Sequence, residues 1–382
     1  MPDAPRPTSD ALGWLVDAKP NEVRAALLAC AYFFFLMSSY FILRPIRDAM
    51  AVAAGVSKLP WLFAGTLTAM LVCNPLFAAL VTKFPVKRFI GITYQFFALN
   101  LIAFYLLMRF APQHEVWVGR AFFVWTSVFN LFVVSVFWCF MADTFRSEQA
   151  KRLFGFIGVG GTLGSIAGSG VTAVLAQRLG TVNLLLVSAT LLEIAVAIVL
   201  FFPAVERGTT AEPVENVIGG GLWSGITHVA HSPYLLGISA FLVLYTLGST
   251  VLYFAQTEII GRYYASKGAR TEVLAQMELA SQTLTVVTQL FLTGRVIRWI
   301  GLAATLAIMP ALSIAGFTAL AAGALGVVPL LACFVAFSVL RRGSNFALTN
   351  PSMEVLFTVV GREDKYKAKS FIETFVYRAG DQ

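Results

Sequence analysis

Charge is scarce in this chain. Asp, Glu, Lys and Arg together make up 13% of its 382 residues, about half the share usual in a soluble domain. Hydrophobic residues make up 58%, and the mean hydropathy is +0.77. A soluble fold has no use for that much apolar surface, so lipid must solvate much of it. Cysteine and histidine are also rare. Cys30, Cys73, Cys139 and Cys333 all lie inside apolar runs, which excludes a disulfide framework and leaves them as small apolar residues. His228 and His231 stand at helical spacing with no third ligand nearby, so no metal site is expected. The runs hold no Ser–His–Asp set, paired carboxylates or zinc-ligand pattern, so neither an enzyme nor a cofactor is expected. The first 24 residues contain no short apolar stretch ending in a small-residue cleavage site. The first span is therefore expected to be its own insertion signal.

What the chain does have is ten apolar runs, near 25–43, 60–82, 88–108, 117–141, 154–176, 182–203, 233–255, 274–293, 299–319 and 321–340. Each approaches the ~20 residues that cross a bilayer as a helix. The run near 274–293 is the weakest, diluted by Glu278, Ser281, Gln282, Thr283 and Gln289. The net charge of +8 does not mark a nucleic-acid binder, because the basic residues sit between the runs. With the N-terminus inside, 19 of the 28 Lys and Arg fall on the cytoplasmic side, 7 of them in the tail 341–382. That bias fits the positive-inside rule.

A weak internal repeat divides the chain. "VKRFIG" at 86–91 recurs as "VIRWIG" at 296–301, and "EQAKRLFGFIGVGG" at 148–161 is echoed by "YKAKSFIETFVYRAG" from residue 366. The offsets, 210 and 218, nearly agree, which argues for two parallel halves. The expected organisation is a cytoplasmic N-terminus (1–24), a six-helix half (25–203), a cytoplasmic linker (204–232) and a second half (233–382). By the repeat the second half lacks its last two helices, so the complete protein is expected to continue past Gln382. Gly219–Gly220–Gly221 mark the linker as flexible, with a short surface helix over 222–229.

Three constellations stand out. "GVGGTLG" at 158–164 resembles a dinucleotide fingerprint but sits in a span, and Gly160, Gly164 and Gly168 fall at i, i+4 and i+8. Close helix packing explains such a stripe better. "MADTFRSEQAKR" at 141–152 carries Asp143, Arg146, Glu148, Lys151 and Arg152. It reads equally as a solvated loop or as a cytoplasmic gate of ion pairs. The third is "YFILRPIRDAMAVAAG" at 40–55, where Arg44, Arg47 and Asp48 stand at i, i+3 and i+4 on one helical face. Pro45 should bend the helix there. Asp48 neutralises one arginine and leaves about one guanidinium to a polar cavity, where its planar fork suits a phosphate or carboxylate. The alternative ends the first span at Leu43 and makes the cluster a loop.

The stretches "ILRPIRDAMAV", "FWCFMADTFRSEQAKRLFGFIGVGG", "SPYLLGI" and "KYKAKSFIETFVYRAGDQ" resemble the nucleotide (ATP/ADP) translocase family. That family lies within the major facilitator-type secondary transporters of two six-helix halves. The resemblance implies nucleotide exchange by alternating access and a functional basic residue in the first helix, where Arg47 stands. The family also carries glutamates in its fourth and seventh helices. Here the fourth span has no acid, while the seventh has Tyr253 near that place and Glu258 later. A basic residue at the eleventh helix corresponds to Arg378, with Asp381 aligning as well.

The expectation is an all-α polytopic protein of the bacterial inner membrane, acting as a monomer. It would carry a small anionic solute, such as a nucleotide or another phosphorylated compound, by rocking of two halves. Its partners are that anion and the bilayer, with no nucleic acid. Arg47 is the expected anion contact, oriented by Arg44 and Asp48. Asn130 and Gln256 offer neutral hydrogen bonds, Trp138 and Tyr253 offer stacking surfaces, and Arg378 completes the site. Two other readings stay open: a proton-coupled exporter using Glu193 in the sixth span, and a scaffold that transports nothing.

Overall fold

The computed structural model describes residues 20–83, 86–145, 147–202 and 232–356. Each of the ten apolar runs contributes to a helix. In chain order these are α1 (Pro20–Ala54), α2 (Leu59–Lys83), α3 (Val86–Phe110), α4 (Glu115–Thr144), α5 (Ser147–Leu175), α6 (Leu184–Leu200), α7 (Pro233–Tyr263), α8 (Lys267–Phe291), α9 (Thr293–Ala324) and α10 (Leu330–Ser344). A π-helical segment, Asn345–Thr349, and α11 (Asn350–Leu356) follow directly on α10. Eight helical stretches among the described residues are long and apolar enough to cross a membrane. To these the fold adds α6, apolar but only 17 residues long, and the more polar α8. The expected residues Arg146, Arg378, His228 and His231, the linker up to residue 231, and the chain from 357 on lie outside the described residues. Cys30, Cys73 and Cys333 are free thiols and only partly buried.

The helices group into two units. Of the described residues, the first takes those within Met1–Ala54, Thr68–Glu206 and Ala265–Leu279; the second takes those within Gly55–Leu67, Arg207–Tyr264 and Ala280–Gln382. In the first unit α1 is the central element, packed against α4, α5 and α6. Glu22 in its first turn suits the positive end of the helix dipole. The helix stops at Gly55, whose φ of 85° strains any residue with a side chain.

Small residues set how closely α5 approaches α1. Gly160, Gly164 and Gly168 face Cys30, Phe34 and Ser38, which repeat at the same spacing on α1. A Cβ at any of the three glycines would overlap a backbone carbonyl oxygen of α1. Ser38 Oγ donates to the carbonyl of Gly164 across this seam (3.1 Å). Within lipid such packing relies on dispersion contacts rather than on expelled water. Next to the seam Phe33 stacks on Phe137 with ring centres 4.2 Å apart. The hydroxyls of Tyr32 and Tyr94 meet at 2.6 Å, and Tyr94 donates to the carbonyl of Val133 (3.2 Å). The first half of α8 is tied into this unit by Glu115–Lys267, Gln177–Glu272 and Arg44–Glu278.

In the second unit α9 and α10 form the main packed pair. The missing side chain of Gly316 leaves room for the Phe337 ring. α9 is interrupted at Gly301, where φ is 80° and the backbone is not helical. This glycine closes the "VIRWIG" repeat, whereas "VKRFIG" opens α3 as regular helix. The π segment is anchored by Thr293 Oγ1 donating to the carbonyl of Ala347 (2.7 Å) and Gln289 Nε2 donating to that of Phe346 (3.0 Å).

One boundary expectation is corrected here. The last run does not end at 340 with a polar tail from 341. The connection instead falls at 325–329, and the apolar stretch Leu330–Met353 continues through both arginines. Arg341, Asn345, Thr349 and Ser352 are buried. They face protein rather than water, which is how polar residues are accommodated inside a membrane.

Candidate substrate-binding site

The cluster on α1 is helical throughout. Helix continues past Leu43 and Pro45 for nine further residues to Ala54, carried by the Ala- and Met-rich sequence after Asp48. The alternative of a span ending at Leu43 is therefore excluded. Asp48 is 6% exposed, and Arg47 donates to its Oδ1 from both Nε (3.0 Å) and Nη2 (2.9 Å). The Arg47 guanidinium also lies over the ring of Phe123 on α4, 5.2 Å from its centre. Arg44 turns to a partner that the sequence did not suggest. Its Nη1 donates to Glu278 Oε1 on α8 at 3.1 Å, and Glu278 is 2% exposed. Arg44 also stands 5.6 Å from the ring centre of Phe41.

The expectation of one unpaired guanidinium is thus corrected. Among the described residues two arginines meet two carboxylates, whose formal charges sum to zero. Each charge placed at mid-membrane costs roughly 2.5–3.5 kcal/mol on insertion scales, so pairing is what permits three ionised groups on the apolar α1. Arg44 Nε remains buried with no acceptor among the described residues, so this cluster still holds a free donor.

The other candidates divide. Asn130 lies seven residues after Phe123 on α4, hence on the same face as the ring that touches Arg47. Trp138 is enclosed by Phe33, Phe137 and Phe154 at 5.1–5.6 Å. It is partly buried, and its ring packs against the core of the first unit. Tyr253, in the second unit, packs against Phe63 at 5.6 Å. Gln256, on the same helix, is buried, and its Nε2 has no partner among the described residues. Of the gate residues, Asp143 is exposed at the end of α4, and Glu148, Lys151 and Arg152 lie in the first turns of α5. In that region Gln149 Nε2 donates to Glu22 Oε1 on α1 (2.9 Å), a link that sequence reasoning missed. Glu193 accepts from Gln95 Nε2 of α3 (2.7 Å). Sequence reasoning also missed Arg341, a 4% exposed arginine on α10.

Arginines paired with buried carboxylates on the helices of this protein suit a solute pathway better than an anchor. The family model of the Major Facilitator Superfamily matches residues 25–376. The chain belongs to this superfamily. It is accordingly a multi-pass membrane transporter. It is similar to ADP,ATP carrier protein 1 of Chlamydia pneumoniae, at 21% identity over 427 residues, covering 94% of this chain and 83% of the carrier. Among solved structures, it resembles a variant of the nucleoside transporter NupG with a TM-score of 0.65 and 15% identity, covering 94% of this chain and 88% of that one. It also resembles a bacterial homolog to the human lysosomal transporter Spinster in an inward-facing and unoccupied conformation, with a TM-score of 0.57, 13% identity and coverage of 95% and 81%. A D-xylose–proton symporter gives a TM-score of 0.58 at 13% identity, with coverage of 94% and 88%. At these identities the structural likenesses speak for the fold alone.

Proposed function

We propose that this major facilitator carries a small anionic solute, nucleotide-like or otherwise phosphorylated, across the bacterial inner membrane by alternating access, working as a monomer with its N-terminus in the cytoplasm. The observation that carries this reading is the set of charges on α1 and α8. Arg47 holds Asp48 through two donors on the apolar α1, and Arg44 on the same helix holds Glu278 of the more polar α8. A span that only anchors would gain nothing from the cost of these groups. An arriving oxyanion can take a carboxylate's place on a guanidinium without leaving either charge bare, so a paired arginine can be both stable at rest and exchangeable. The similarity to an ADP,ATP carrier supports nucleotides as the first solutes to try.

The charge balance of the cluster favours a second reading, a neutral nucleoside or sugar bound by hydrogen bonds. Exchange in vesicles separates the two. Purified protein is reconstituted into liposomes loaded with ADP, inorganic phosphate or adenosine, and uptake of the labelled counterpart is followed. Saturable exchange of a phosphorylated solute is expected. Arg47→Ala should weaken it about ten- to hundredfold, as for the loss of a charge-assisted bond of roughly 1.5–3 kcal/mol. Uptake of adenosine that ADP and phosphate leave unaffected would reject the anion reading in favour of the neutral one.

A further inference from the structure

Among the described residues of the second unit, one buried guanidinium has no acid beside it. Arg341 lies in the stretch Leu330–Met353, eleven residues from its start and twelve from its end, so at mid-depth of the span. Its Nη1 donates to Ser249 Oγ (2.8 Å), its Nη2 to the carbonyl of Tyr245 (2.8 Å) and its Nε to Ser313 Oγ at a long 3.4 Å. The guanidinium carbon also sits 4.6 Å from the centre of the Tyr245 ring. Among the described residues no carboxylate reaches it. A guanidinium carries five N–H donors, and these three bonds leave two of them without an acceptor.

Three further features converge on the same place. Gly248 gives the guanidinium its space, because a Cβ there would stand 3.0 Å from Nη2. Ser338 and Asn345, the latter the first residue of the π segment, flank Arg341 at i−3 and i+4, on one face of the continuous helix. Both are buried, and Ser338 Oγ and Asn345 Nδ2 have no hydrogen-bond partner among the described residues. At Asn345 the helix widens into its π segment, a distortion that recurs at functional sites. Unfilled donors on one helix face, around a cation with no counter-ion among the described residues, are complementary to an oxyanion and to little else.

We infer that Arg341, with Ser338 and Asn345, forms an oxyanion site inside the second unit that binds a phosphate or carboxylate group of the transported solute. The inference rests on the reading of this chain as an anion carrier, and adds a site that the α1 cluster does not contain. A bound oxyanion would accept the two remaining guanidinium N–H groups and the Asn345 amide, while Ser249 and the Tyr245 carbonyl keep the guanidinium plane in place. Arginine suits this task better than lysine because its donors are fixed in one plane.

The test is ligand binding by the full-length protein in phosphatidylcholine nanodiscs, which offer no anionic lipid, read by thermal shift and calorimetry. The probes are inorganic phosphate, citrate, AMP and adenosine, and a parallel set of discs with added phosphatidylglycerol shows whether a lipid headgroup competes. The parent should respond to phosphate, citrate or AMP, and Arg341→Gln should weaken that response about ten- to hundredfold without changing any response to adenosine. Arg341→Lys should recover part of it. Asn345→Ala and Gly248→Ala keep the guanidinium and should each weaken anion binding several-fold, so they decide the matter if Arg341→Gln fails to fold. Equal anion titrations by the parent, Asn345→Ala and Gly248→Ala would overturn the site, as would a parent that responds to none of the three anions. Loss of the phosphate response only in discs containing phosphatidylglycerol would assign the site to lipid and overturn the solute reading. Nucleotide exchange that survives in Arg341→Gln would remove this site and keep the proposed function. Arg341-dependent anion binding without nucleotide exchange would do the reverse.

Discussion

In the first unit Arg44 and Arg47 each end on a carboxylate, whereas in the second Arg341 ends on two serine hydroxyls, a carbonyl and an aromatic ring. All three are arginines on apolar helices, yet their surroundings ask different things of them. A guanidinium facing a carboxylate is neutralised at rest, and a ligand can engage it only by displacing that carboxylate. One held by neutral dipoles keeps its full charge and two of its donors. The first arrangement suits a contact that must open and close, and the second suits a standing receptor for an anion.

The sharpest way to break this comparison is to remove one carboxylate. Glu278→Ala leaves the partly buried Arg44 without the carboxylate it meets, and losing one member of a buried pair costs about 3–5 kcal/mol. A large fall in melting temperature in detergent is expected. Arg341→Met removes a charge that has no counter-ion among the described residues and puts an apolar chain in its place, which should leave stability unchanged or raised. Equal losses from the two variants would erase the distinction between the units.

Next in size is an attempt to convert one region into the other. Ser338→Asp places a carboxylate one turn before Arg341 on the same helix face, where the pair can meet. The melting temperature should hold or rise slightly, while the response to inorganic phosphate should fall about tenfold or more, because the new carboxylate occupies the donors. Undiminished phosphate binding in Ser338→Asp would mean that the free donors of Arg341 are not what holds the anion.

How much of this could be read from the chain differs by element. All ten apolar runs correspond to helices, since a run of about twenty apolar residues has few other ways to satisfy its backbone in lipid. The glycine stripe on α5 was legible too, because its i, i+4, i+8 spacing is a local property that already describes a smooth face. The boundary of α10 was not. Arg341, Arg342, Ser344 and Asn345 lower hydropathy over a few residues, and a linear count cannot tell a polar group facing protein from one facing water. The same blindness made Glu278 look like dilution of the eighth run, although it is one of the most buried acids in the fold. Its partner Arg44 lies 234 residues away, a pairing that only tertiary structure brings about. On α1 the charged face is visible in the spacing, but only Asp48 stands near the two arginines in the chain, so a linear reading leaves one guanidinium without its carboxylate.

The smallest expected effect concerns how Arg47 holds Asp48. Both Nε and Nη2 donate to the same Oδ1, at 3.0 and 2.9 Å, while the guanidinium carbon lies 5.2 Å from the centre of the Phe123 ring. Lysine at this position keeps the charge, so the pair survives electrostatically. Its compact ammonium cannot place two donors from one rigid plane on that oxygen, nor lie flat on the ring. Arg47→Lys should therefore cost about 0.5–1.5 kcal/mol, the net worth of one hydrogen bond, and lower the melting temperature only slightly. Asp48→Ala should cost more than Arg47→Lys, because it takes from Arg47 the carboxylate that both donors share. If Arg47→Lys destabilised the protein as strongly as Glu278→Ala, the geometry of the fork rather than the balance of charge would govern the first unit. The contrast with Arg341 would then have to be drawn from donor geometry instead.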